Sequence, residues 1–450
     1  MTRPATASTG ARSRSLVRRL FLLANLLLRA LWLYAKKLLR DRALSEPRAA
    51  AAFAEDAVRF ATRYVAVASR EKGALIKLGQ VASLRVDVFP EAVSDELSAL
   101  QDRVEPRSFD EIRVQIEREL AAPIEKFFRS FEREPLAAAS LGQVHRATLS
   151  EGREVAVKVL YPGIEQTVRL DLLVARIALW LFNFVTISDL RLVYREIRDS
   201  LLREMDYQQE ASAAEEIARD IAADAELRDR IRVPGIHWPL VTRRVLTMEY
   251  IAGATLRAHV DAQAVPAAGV PIVYWIVRAF LYMMFERGFF HCDPHPGNLL
   301  IDSEGRIAII DFGMHKRLTP QVRDGLRRNV WATMRRDATL YAESLFEAGM
   351  VGAADRPAVE RLAAVMFDPA YYNLTPKEFA GLDFGDYLKR VRSELKELRS
   401  FHLPEGVVMW FRSFSLLLTL GAELAPGQRP VDILGPHMPR FLAREARSPA

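Results

Sequence analysis

The sequence predicts an α+β fold, because its helical and strand-like patterns occupy separate stretches of the chain. Helical spacing of apolar residues dominates up to about residue 134, and a β-rich piece with one helical insertion follows. From about Leu256 onward the chain is again mainly helical. Half of the 450 residues are hydrophobic and 27% are charged, as is typical of globular proteins. This order favours a two-lobed body with a cleft between the lobes.

The first part of the chain has the pattern of three successive helices and a fourth helix start. The helices are predicted over 49–68, 72–84 and 90–103. Ser108 followed by Glu111 has the spacing of a capping box, in which each side chain bonds the other residue's backbone amide. A further helix should therefore begin at Ser108.

The β-rich piece begins with two alternating, β-branched runs joined by a turn. Val144–Leu149 and Glu154–Leu160 are the two runs, and Ser150-Glu-Gly-Arg is the turn, so we expect a β-hairpin. Helices are predicted over 170–187 and 188–218. Short strands are predicted over 245–250, 299–301 and 307–310.

Charge is unevenly distributed along the chain. The formal net charge is +6, but residues 1–45 contain ten Lys or Arg and one acidic residue, Asp41, so the rest of the chain is net negative. A nucleic-acid-binding protein usually has its basic patch on a folded domain, and no nucleic-acid partner is expected here. The single cysteine, Cys292, excludes an intramolecular disulfide and a multi-cysteine zinc site.

The N-terminus combines this basic charge with an apolar run. Leu20–Ala35 is interrupted only by Asn25 and Arg29, and at sixteen residues it is shorter than the ~20 that a spanning helix needs. Basic residues on both sides favour an interfacial helix on anionic lipid. A signal peptide, a mitochondrial transit peptide and an ordinary packed helix are the alternatives. We expect a cytoplasmic protein at the membrane periphery, or one on the mitochondrial matrix side if the start is a transit peptide.

Two short motifs in the C-terminal half carry the strongest chemical signal. Asp293 lies five residues before Asn298, and Asp311 opens an Asp-Phe-Gly at the end of an apolar strand. Protein kinases use this layout: the first Asp receives the proton of the attacking hydroxyl, and the Asn and the second Asp hold Mg²⁺. Oxygen ligands on a rigid loop suit this hard cation. Each motif alone is common, but their order and spacing rarely arise by chance.

A lysine in the predicted hairpin completes the pattern. Lys158 ends Val-Ala-Val-Lys on a strand, where kinases place the lysine that contacts the α- and β-phosphates. Such a lysine needs a carboxylate to hold it, and Glu204, Asp206 and Glu210 are the candidates. Asp206 and Glu210 share a helix face, whereas Glu204 and Glu210 do not. One carboxylate should therefore pair with Lys158 and another should have a different role.

The loop before the hairpin is alanine-rich where a kinase has a glycine-rich phosphate loop. It runs from Ala137 to Gln143 and contains one glycine, Gly142. Alanine restricts φ, so this loop should be stiffer than a glycine loop, although its backbone N–H groups could still face phosphate oxygens. The alternative for the stretch by itself is the start of an alanine-rich helix.

Together, these motifs resemble the UbiB/AarF-type atypical kinase family. Lys77-Leu-Gly-Gln80, with Glu96, Leu97 and Leu100-Gln-Asp102, is similar to that family's N-terminal Lys-x-Gly-Gln extension. The resemblance covers about residues 50 to 345 and implies a protein-kinase-like fold with the extension over the cleft. The boundaries we predict are a membrane-associating segment 1–47, the helical extension 48–134, an N-lobe 135–255, and a C-lobe with helical tail 256–450.

The resemblance also implies roles for individual residues. Lys77 would approach the Glu204–Asp206 motif, and Glu210 would be the partner of Lys158. A catalytic role is implied for Asp293, Lys158, Glu210 and Lys77, and a regulatory role for Lys77, Gly79, Gln80, Glu204 and Asp206. Metal binding is implied for Asn298 and Asp311. Nucleotide binding is implied for Ala137, Ala138, Ala139, Ser140, Gly142, Gln143, Lys158, Glu249 and Tyr250.

The implied cofactors are ATP or ADP with Mg²⁺, and the implied setting is coenzyme Q and isoprenoid-lipid homeostasis. Expected partners are an adenine nucleotide, an anionic or isoprenoid lipid surface, and quinone-biosynthesis enzymes. After Gly313 the sequence passes directly to a predicted helix, so a platform for a protein substrate is not expected. We therefore predict a Mg-dependent ATPase or a small-molecule or lipid phosphotransferase. A non-catalytic, nucleotide-gated lipid scaffold is the alternative, and an antibiotic-type kinase would lack the Lys77 extension.

Overall fold

A computed structural model describes residues 9–43, 45–83, 91–98, 100, 106–182, 190–261, 269–369, 390–391, 393–394, 397–398, 400, 402, 404 and 406–442. These residues form two compact units. The first unit comprises Met1–Gln209 and His237–Tyr250, and the second comprises Glu210–Ile236 and Ile251–Ala450. The finer boundaries expected from the sequence stay a prediction, as does the position of the extension over the cleft.

The regular helices are, in chain order, α1 (Thr9–Ala43), α2 (Glu46–Glu71), α3 (Ala74–Ser83), α4 (Glu91–Ser98), α5 (Phe109–Leu120), α6 (Ile164–Phe182), α7 (Leu190–Glu204), α8 (Tyr207–Ala222), α9 (Leu256–Asp261), α10 (Gly269–Leu281), α11 (Pro320–Arg335), α12 (Ala338–Glu347), α13 (Arg356–Met366), α14 (Val407–Leu424), α15 (Pro430–Leu434) and α16 (Met438–Leu442). The strands are β1 (Phe128–Phe131), β2 (Ala137–Ala138), β3 (Gly142–Leu149), β4 (Glu154–Leu160), β5 (Ile231–Arg232), β6 (Val245–Glu249), β7 (Gly253–Thr255), β8 (Phe289–His291), β9 (Leu299–Asp302), β10 (Ile307–Ile309) and β11 (His315–Arg317).

The sheet of the first unit is antiparallel, with the order β1-β3-β4-β6 and with β2 paired to β3. In its centre, Val144 lies opposite Lys158, and Lys158 lies opposite Leu246. The predicted hairpin is confirmed, and Gly152 supplies the positive φ of 93° that its turn needs. The expected α+β fold is confirmed.

The second unit contains two small sheets and a large helical core. One sheet has the order β5-β10-β9-β7, with β5 parallel to β10, and the other pairs β11 with β8. The core contains fully buried side chains from several helices and strands, among them Phe280, Phe290, Leu326 and Trp410. These apolar contacts hold the β8–β11 region, which carries the candidate chemistry, against the helices.

The N-terminal helices follow the sequence pattern with small shifts at their ends. α2 and α3 cover the first two predicted helices, and α4 is a shorter version of the third, whose last residues fall partly outside the described chain. Ser108 caps α5 as predicted: its hydroxyl oxygen accepts a hydrogen bond from the Glu111 backbone amide at 3.4 Å. Local side-chain chemistry determines this helix start.

The predicted single helix over 188–218 is wrong, because the structure has two helices there. α7 ends at Glu204 and α8 begins at Tyr207, with Asp206 in the break. The Asp206 carboxylate accepts a hydrogen bond from the Gln208 amide at 3.2 Å, as an N-terminal cap does. Asp206 and Glu210 therefore do not belong to one continuous helix face.

In the described part of the chain, the helix α14 is long and apolar enough to cross a membrane. Its Trp410, Leu417, Leu420 and Leu424 side chains are buried in the core of the second unit. We interpret α14 as a core helix, because a side chain that packs inside the protein cannot also face lipid.

Candidate functional site

The β9–β10 hairpin brings the two candidate metal ligands to neighbouring positions. Leu299 pairs with Ile309, and the Ile310 amide donates to the Asn298 carbonyl at 3.1 Å. Asn298 therefore stands beside the chain segment that ends in Asp311. The Asp311 carboxylate is oriented by its own turn, since its Oδ1 accepts from the Gly313 amide at 2.9 Å. The antiparallel register thus places an amide oxygen and a carboxylate at one edge.

Asn298 also contacts Asp293, the candidate proton acceptor. Its Nδ2 donates to the Asp293 carbonyl at 3.2 Å and lies 3.5 Å from Asp293 Oδ2. The Asp293 amide in turn donates to Nδ1 of His291 at 2.9 Å. The three residues predicted from the motif spacing therefore share one hydrogen-bonded neighbourhood in the second unit.

His291 supports this loop from inside the core. Its side chain is fully buried between the rings of Phe280 and Phe312. Burial lowers the pKa of His291, since the charged imidazolium would lose its hydration. Because Nδ1 accepts from the Asp293 amide, the proton is on Nε2. His291 is therefore a packing and loop-shaping residue.

Glu210 contacts the Asp-Phe-Gly segment directly. Its Oε1 accepts from the Phe312 amide at 3.3 Å, and its side chain is almost completely buried. A buried carboxylate on a backbone amide fixes the position of that segment next to Asp311. The pairing of Glu210 with Lys158 stays a prediction.

Lys158 lies in the centre of the first unit's sheet, beside an aromatic ring and a required glycine. Its Nζ is 5.4 Å from the centroid of the Tyr207 ring. A Cβ on Gly142 would lie 2.3 Å from the Val159 carbonyl oxygen and 2.8 Å from the Tyr207 hydroxyl. Only glycine fits there, so Gly142 allows β3 and α8 to approach the strand that carries Lys158.

The alanine-rich loop is a tight β-turn connection and not a helix start. Ala137 and Ala138 pair with β3, and the Ala139 amide donates to the Gly142 carbonyl at 2.8 Å. That amide is used inside the turn, so in this conformation it does not face a phosphate. The Ser140 carbonyl accepts from the Gly73 amide at 3.2 Å, which attaches the loop to the junction before α3.

Gln143, predicted to contact nucleotide, anchors the hairpin instead. Its side chain is fully buried. Its Oε1 accepts from the Arg107 amide at 2.8 Å, and its Nε2 donates to the Arg107 carbonyl at 3.2 Å and lies 2.9 Å from His145 Nε2. These partners occupy both the oxygen and the nitrogen of the side-chain amide, and we assign Gln143 a structural role.

Glu249 and Tyr250, also predicted to contact nucleotide, lie where β6 ends. Glu249 stands opposite Val155, and the Tyr250 amide donates to the Glu154 carbonyl at 3.2 Å. The Arg146 guanidinium lies 4.5 Å from the Tyr250 ring centroid. Both residues therefore lie beside the N-terminal end of β4, and their contact with a nucleotide stays a prediction.

The Lys-x-Gly-Gln segment forms α3, and its lysine meets the predicted acidic motif. Lys77 Nζ is 2.8 Å from Glu204 Oε1, and both side chains are largely buried. Asp206 instead pairs with Arg243 at 3.3 Å. The Gln80 side chain lies outside the described residues. Regulatory roles for these residues stay proposals.

Gly79 is required by packing within the extension. A Cβ at this position would lie 2.3 Å from Leu100 Cδ1 and 2.9 Å from Tyr64 Cε1. The Tyr64 hydroxyl also donates to the Leu75 carbonyl at 2.7 Å. The glycine of the motif therefore lets α3 lie close against α2 and Leu100.

The long α1 helix has an exposed apolar face. At 100° per residue, its exposed large hydrophobic side chains fall within an arc of about 120°. They are Val17, Leu20, Phe21, Leu28, Trp32, Leu38 and Leu39. Leu23 and Leu26, on the other side, are buried. We call these seven residues the α1 stripe.

No sequence motif indicated a role for Arg412, yet its side chain contacts the candidate site. Its Nη2 lies 3.3 Å from Asp293 Oδ1. The only available signal was one arginine in the otherwise apolar first part of α14. No spacing rule connects this position with a loop 119 residues earlier.

The donor set fits Mg²⁺ bound together with a nucleotide better than a metal held by protein alone. No cluster of three or more His, Cys, Asp or Glu side chains able to hold a metal is found among the described residues. Mg²⁺ commonly takes one or two carboxylates and completes its shell with water and phosphate oxygens. Asp311 and Asn298 would supply the protein ligands for such an ion.

A model of the ABC1 atypical kinase-like domain matches residues 99–345. The chain is 33% identical to an uncharacterized Synechocystis protein over 363 residues, covering 78% of this chain and 60% of the relative. It is 33% identical over 378 residues to the chloroplastic Protein ACTIVITY OF BC1 COMPLEX KINASE 7 of Arabidopsis thaliana, covering 83% and 53%. An uncharacterized Mycobacterium tuberculosis protein is 33% identical over 359 residues, covering 78% and 72%.

The chain thus spans 60% and 53% of the lengths of the first two of these relatives. Among solved structures, the complex of Rv3197 with erythromycin from Mycobacterium tuberculosis superposes with a TM-score of 0.55 at 22% identity. That alignment covers 84% of this chain and 95% of the other, and it shows a shared fold.

Proposed function

The chain belongs to the ABC1 atypical kinase-like family, part of the UbiB/ABC1 group, and from this premise we propose that it binds MgATP and transfers or hydrolyses the γ-phosphate. The observation that carries the proposal is the shared hydrogen-bonded neighbourhood of Asp293, Asn298 and Asp311. Two carboxylates and an amide on neighbouring segments are the residue types that a site for Mg²⁺ and nucleotide uses.

In the proposed mechanism, Lys158 would contact the phosphates, and Asn298 and Asp311 would hold Mg²⁺, which would neutralise phosphate charge. Asp293 accepts the proton of the attacking hydroxyl or water. The new oxygen–phosphorus bond forms as the bond between the γ-phosphorus and its bridging oxygen breaks, and ADP leaves with that electron pair. Glu210, through the Phe312 amide, keeps the Asp-Phe-Gly segment in position.

The phosphate acceptor we propose is water, a small molecule or a lipid. The chain passes from Asp311 through the short strand β11 (His315–Arg317) to α11, which starts at Pro320 with Thr319 as its cap. This segment is too short to form the extended platform on which protein kinases dock a peptide. A role in ubiquinone or isoprenoid-lipid metabolism is part of the proposal, as the family resemblance implies.

We also propose that the α1 stripe contacts a membrane surface. Its apolar side chains project from the helix next to the basic residues of the N-terminus. A helix with an apolar face and basic flanks binds at the interface of anionic membranes. This would place the protein at the membrane periphery, where a lipid acceptor resides.

One observation favours a second function, that of a nucleotide-gated lipid-binding scaffold. The alanine-rich loop uses the Ala139 amide within its own turn and is attached to Gly73. A loop held in this way cannot close on phosphates as readily as a glycine-rich loop, so turnover would be slow or absent.

The two functions are separated by measuring MgATP binding and hydrolysis of the full chain. We expect MgATP to raise the melting temperature, and phosphate release to be lost in Asp311→Asn. Asp229→Asn, an exposed aspartate of the same unit, is the matched control and should keep wild-type rates. Normal hydrolysis by Asp311→Asn would overturn the enzyme proposal. Binding without turnover on any tested lipid would support the scaffold.

The pathway is tested in cells. A deletion strain would be complemented with the wild-type gene and with Asp311→Asn, and its quinones and isoprenoid lipids would be profiled. We expect the wild-type gene alone to restore the profile. An unchanged profile in the deletion strain would exclude the proposed role in these lipids.

A further inference from the structure

Asp293 is contacted by a side chain from a distant helix. Arg412 on α14 places its Nη2 3.3 Å from Asp293 Oδ1. The side chains of Arg412 and Asp293 are 28% and 19% exposed, so solvent screens this pair less than an ordinary surface pair. The family model that matches the chain ends at residue 345, and Arg412 lies beyond it.

The backbone around Arg412 is fixed by the core. Trp410 is 2% exposed and stacks on Phe414, with the ring centroids 4.9 Å apart. The neighbouring Ser413 is fully buried, and its hydroxyl donates to the His291 carbonyl at 3.2 Å. α14 is therefore bonded directly to the strand that leads into Asp293, and Arg412 can move little relative to that loop.

The two oxygens of Asp293 contact different donors. Oδ1 is next to Arg412, and Oδ2 is 3.5 Å from Nδ2 of Asn298. Donors on both oxygens restrict rotation of the carboxylate about its Cβ–Cγ bond, which is the torsion that aims a proton acceptor. The direction of the carboxylate is thus determined by two residues that are themselves fixed.

An ion pair that only stabilised the fold would be expected to leave no buried donor of its arginine without a partner. Nε of Arg412 is buried and has no hydrogen-bond partner within the described residues. A buried donor without a partner is destabilising, which offsets what a partly exposed ion pair contributes. Stability alone therefore does not account for an arginine at this position of an otherwise apolar helical turn.

We propose that Arg412 is a positioning residue that holds the Asp293 carboxylate in the orientation needed to accept a proton from the attacking oxygen. The helical tail then contributes to catalysis through Asp293. This inference rests on the proposed MgATP chemistry, because an orientation for proton transfer has a purpose only if Asp293 acts as acceptor.

The test is steady-state hydrolysis of MgATP by the full chain in five forms: wild type, Arg412→Ala, Arg412→Lys, Asp293→Asn and the double variant Arg412→Ala/Asp293→Asn. We expect Arg412→Ala to lower kcat by about tenfold or more while KM for MgATP changes by about twofold or less. Arg412→Lys should recover part of the rate, because its ammonium can still reach the carboxylate. In the Asp293→Asn background, Arg412→Ala should have no further effect.

Structural damage is measured separately. Arg356→Ala is the matched control, since Arg356 forms a partly exposed pair with Glu343 in the same unit at 2.7 Å. It should retain wild-type kcat. The melting temperature and MgADP affinity of Arg412→Ala should stay close to those of wild type, which a general loss of folding would not allow.

Two results would overturn the inference: wild-type kcat in Arg412→Ala, or the same fold-loss from Arg412→Ala in both the wild-type and the Asp293→Asn backgrounds. If the hydrolysis rate of Asp293→Asn is too low to detect, the comparison of Arg412→Lys with Arg412→Ala tests the inference instead. A higher rate in Arg412→Lys supports it, and equal rates in those two variants would overturn it. Absence of turnover in the wild type would instead contradict the proposed function.

Discussion

The guanidinium of Arg19 donates two hydrogen bonds of 2.7 Å to the carboxylate of Asp171, across 152 residues of sequence. Both side chains are almost completely buried. Arg19 also donates to the carbonyls of Glu71 and Lys72, and Asp171 accepts from the Ala74 amide at 3.0 Å. One ion pair therefore joins α1, α6 and the start of α3, the helix that carries Lys77.

Removing Arg19 should destabilise the first unit strongly. Arg19→Ala would leave Asp171 buried without its cation, and loss of one partner of a buried pair typically costs ~3–5 kcal/mol. Arg18→Ala is the matched control, because the Arg18 side chain is 59% exposed and its pair with Glu71 contributes about 1 kcal/mol or less. Denaturant unfolding compares the two, and equal losses would contradict a special role for Arg19.

The motif glycine Gly79 should not tolerate even a methyl group. Gly79→Ala would push against Leu100 and Tyr64 and should lower the free energy of unfolding by ~1–3 kcal/mol. Gly427→Ala is the control, since a Cβ there would have no atom within 4 Å. Thermal unfolding of both variants provides the comparison. A Gly79→Ala protein as stable as Gly427→Ala would show that α3 can move away from α2.

Acid should destabilise the second unit partly through His437. Burial lowers the pKa of His437 to about 4 from its ordinary 6.5, and nearby Arg278 adds to the effect. The unfolded chain takes up a proton on this imidazole below about pH 6.5, whereas the folded chain does not until about pH 4. The free energy of unfolding should therefore fall as the pH decreases through this window, by up to about 3 kcal/mol.

The difference between variants isolates this contribution. His437→Gln should lose less stability than wild type between pH 7 and pH 4.5, as measured by melting temperature. His259→Gln, which removes a histidine from α9, serves as the comparison variant. If the His437→Gln and wild-type profiles run parallel, the imidazole of His437 takes up its proton over the same pH range in the folded and the unfolded chain.

The α1 stripe should control binding to lipid vesicles. The full chain should sediment with vesicles of phosphatidylcholine and phosphatidylglycerol, and less with phosphatidylcholine alone. Phe21 and Trp32 are 72% and 61% exposed, and Phe21→Ser should weaken binding about tenfold or more, because a buried aromatic ring contributes ~1.5–3 kcal/mol. Phe346→Ser, at an exposed ring of the second unit, is the control. Equal binding of both variants would exclude the stripe as the lipid contact.

The sequence by itself determined the local features of this protein. The β3–β4 hairpin, the Ser108 cap and the Asp293, Asn298 and Asp311 motifs follow from residues close together in the chain, where alternation, capping oxygens and loop spacing act directly. The family and the α+β fold were readable for the same reason, since several local motifs occurred in a fixed order.

Only the tertiary structure decided which distant residues meet. The pairing of Asp206 with Arg243 and the anchoring of Gln143 by Arg107 depend on partners that the local pattern does not name. The contacts of Arg19 with Asp171 and of Arg412 with Asp293 join positions more than 100 residues apart. Such pairs are selected by the packing of whole helices, so the charge pattern along the chain shows which residues are charged and not which of them are partners.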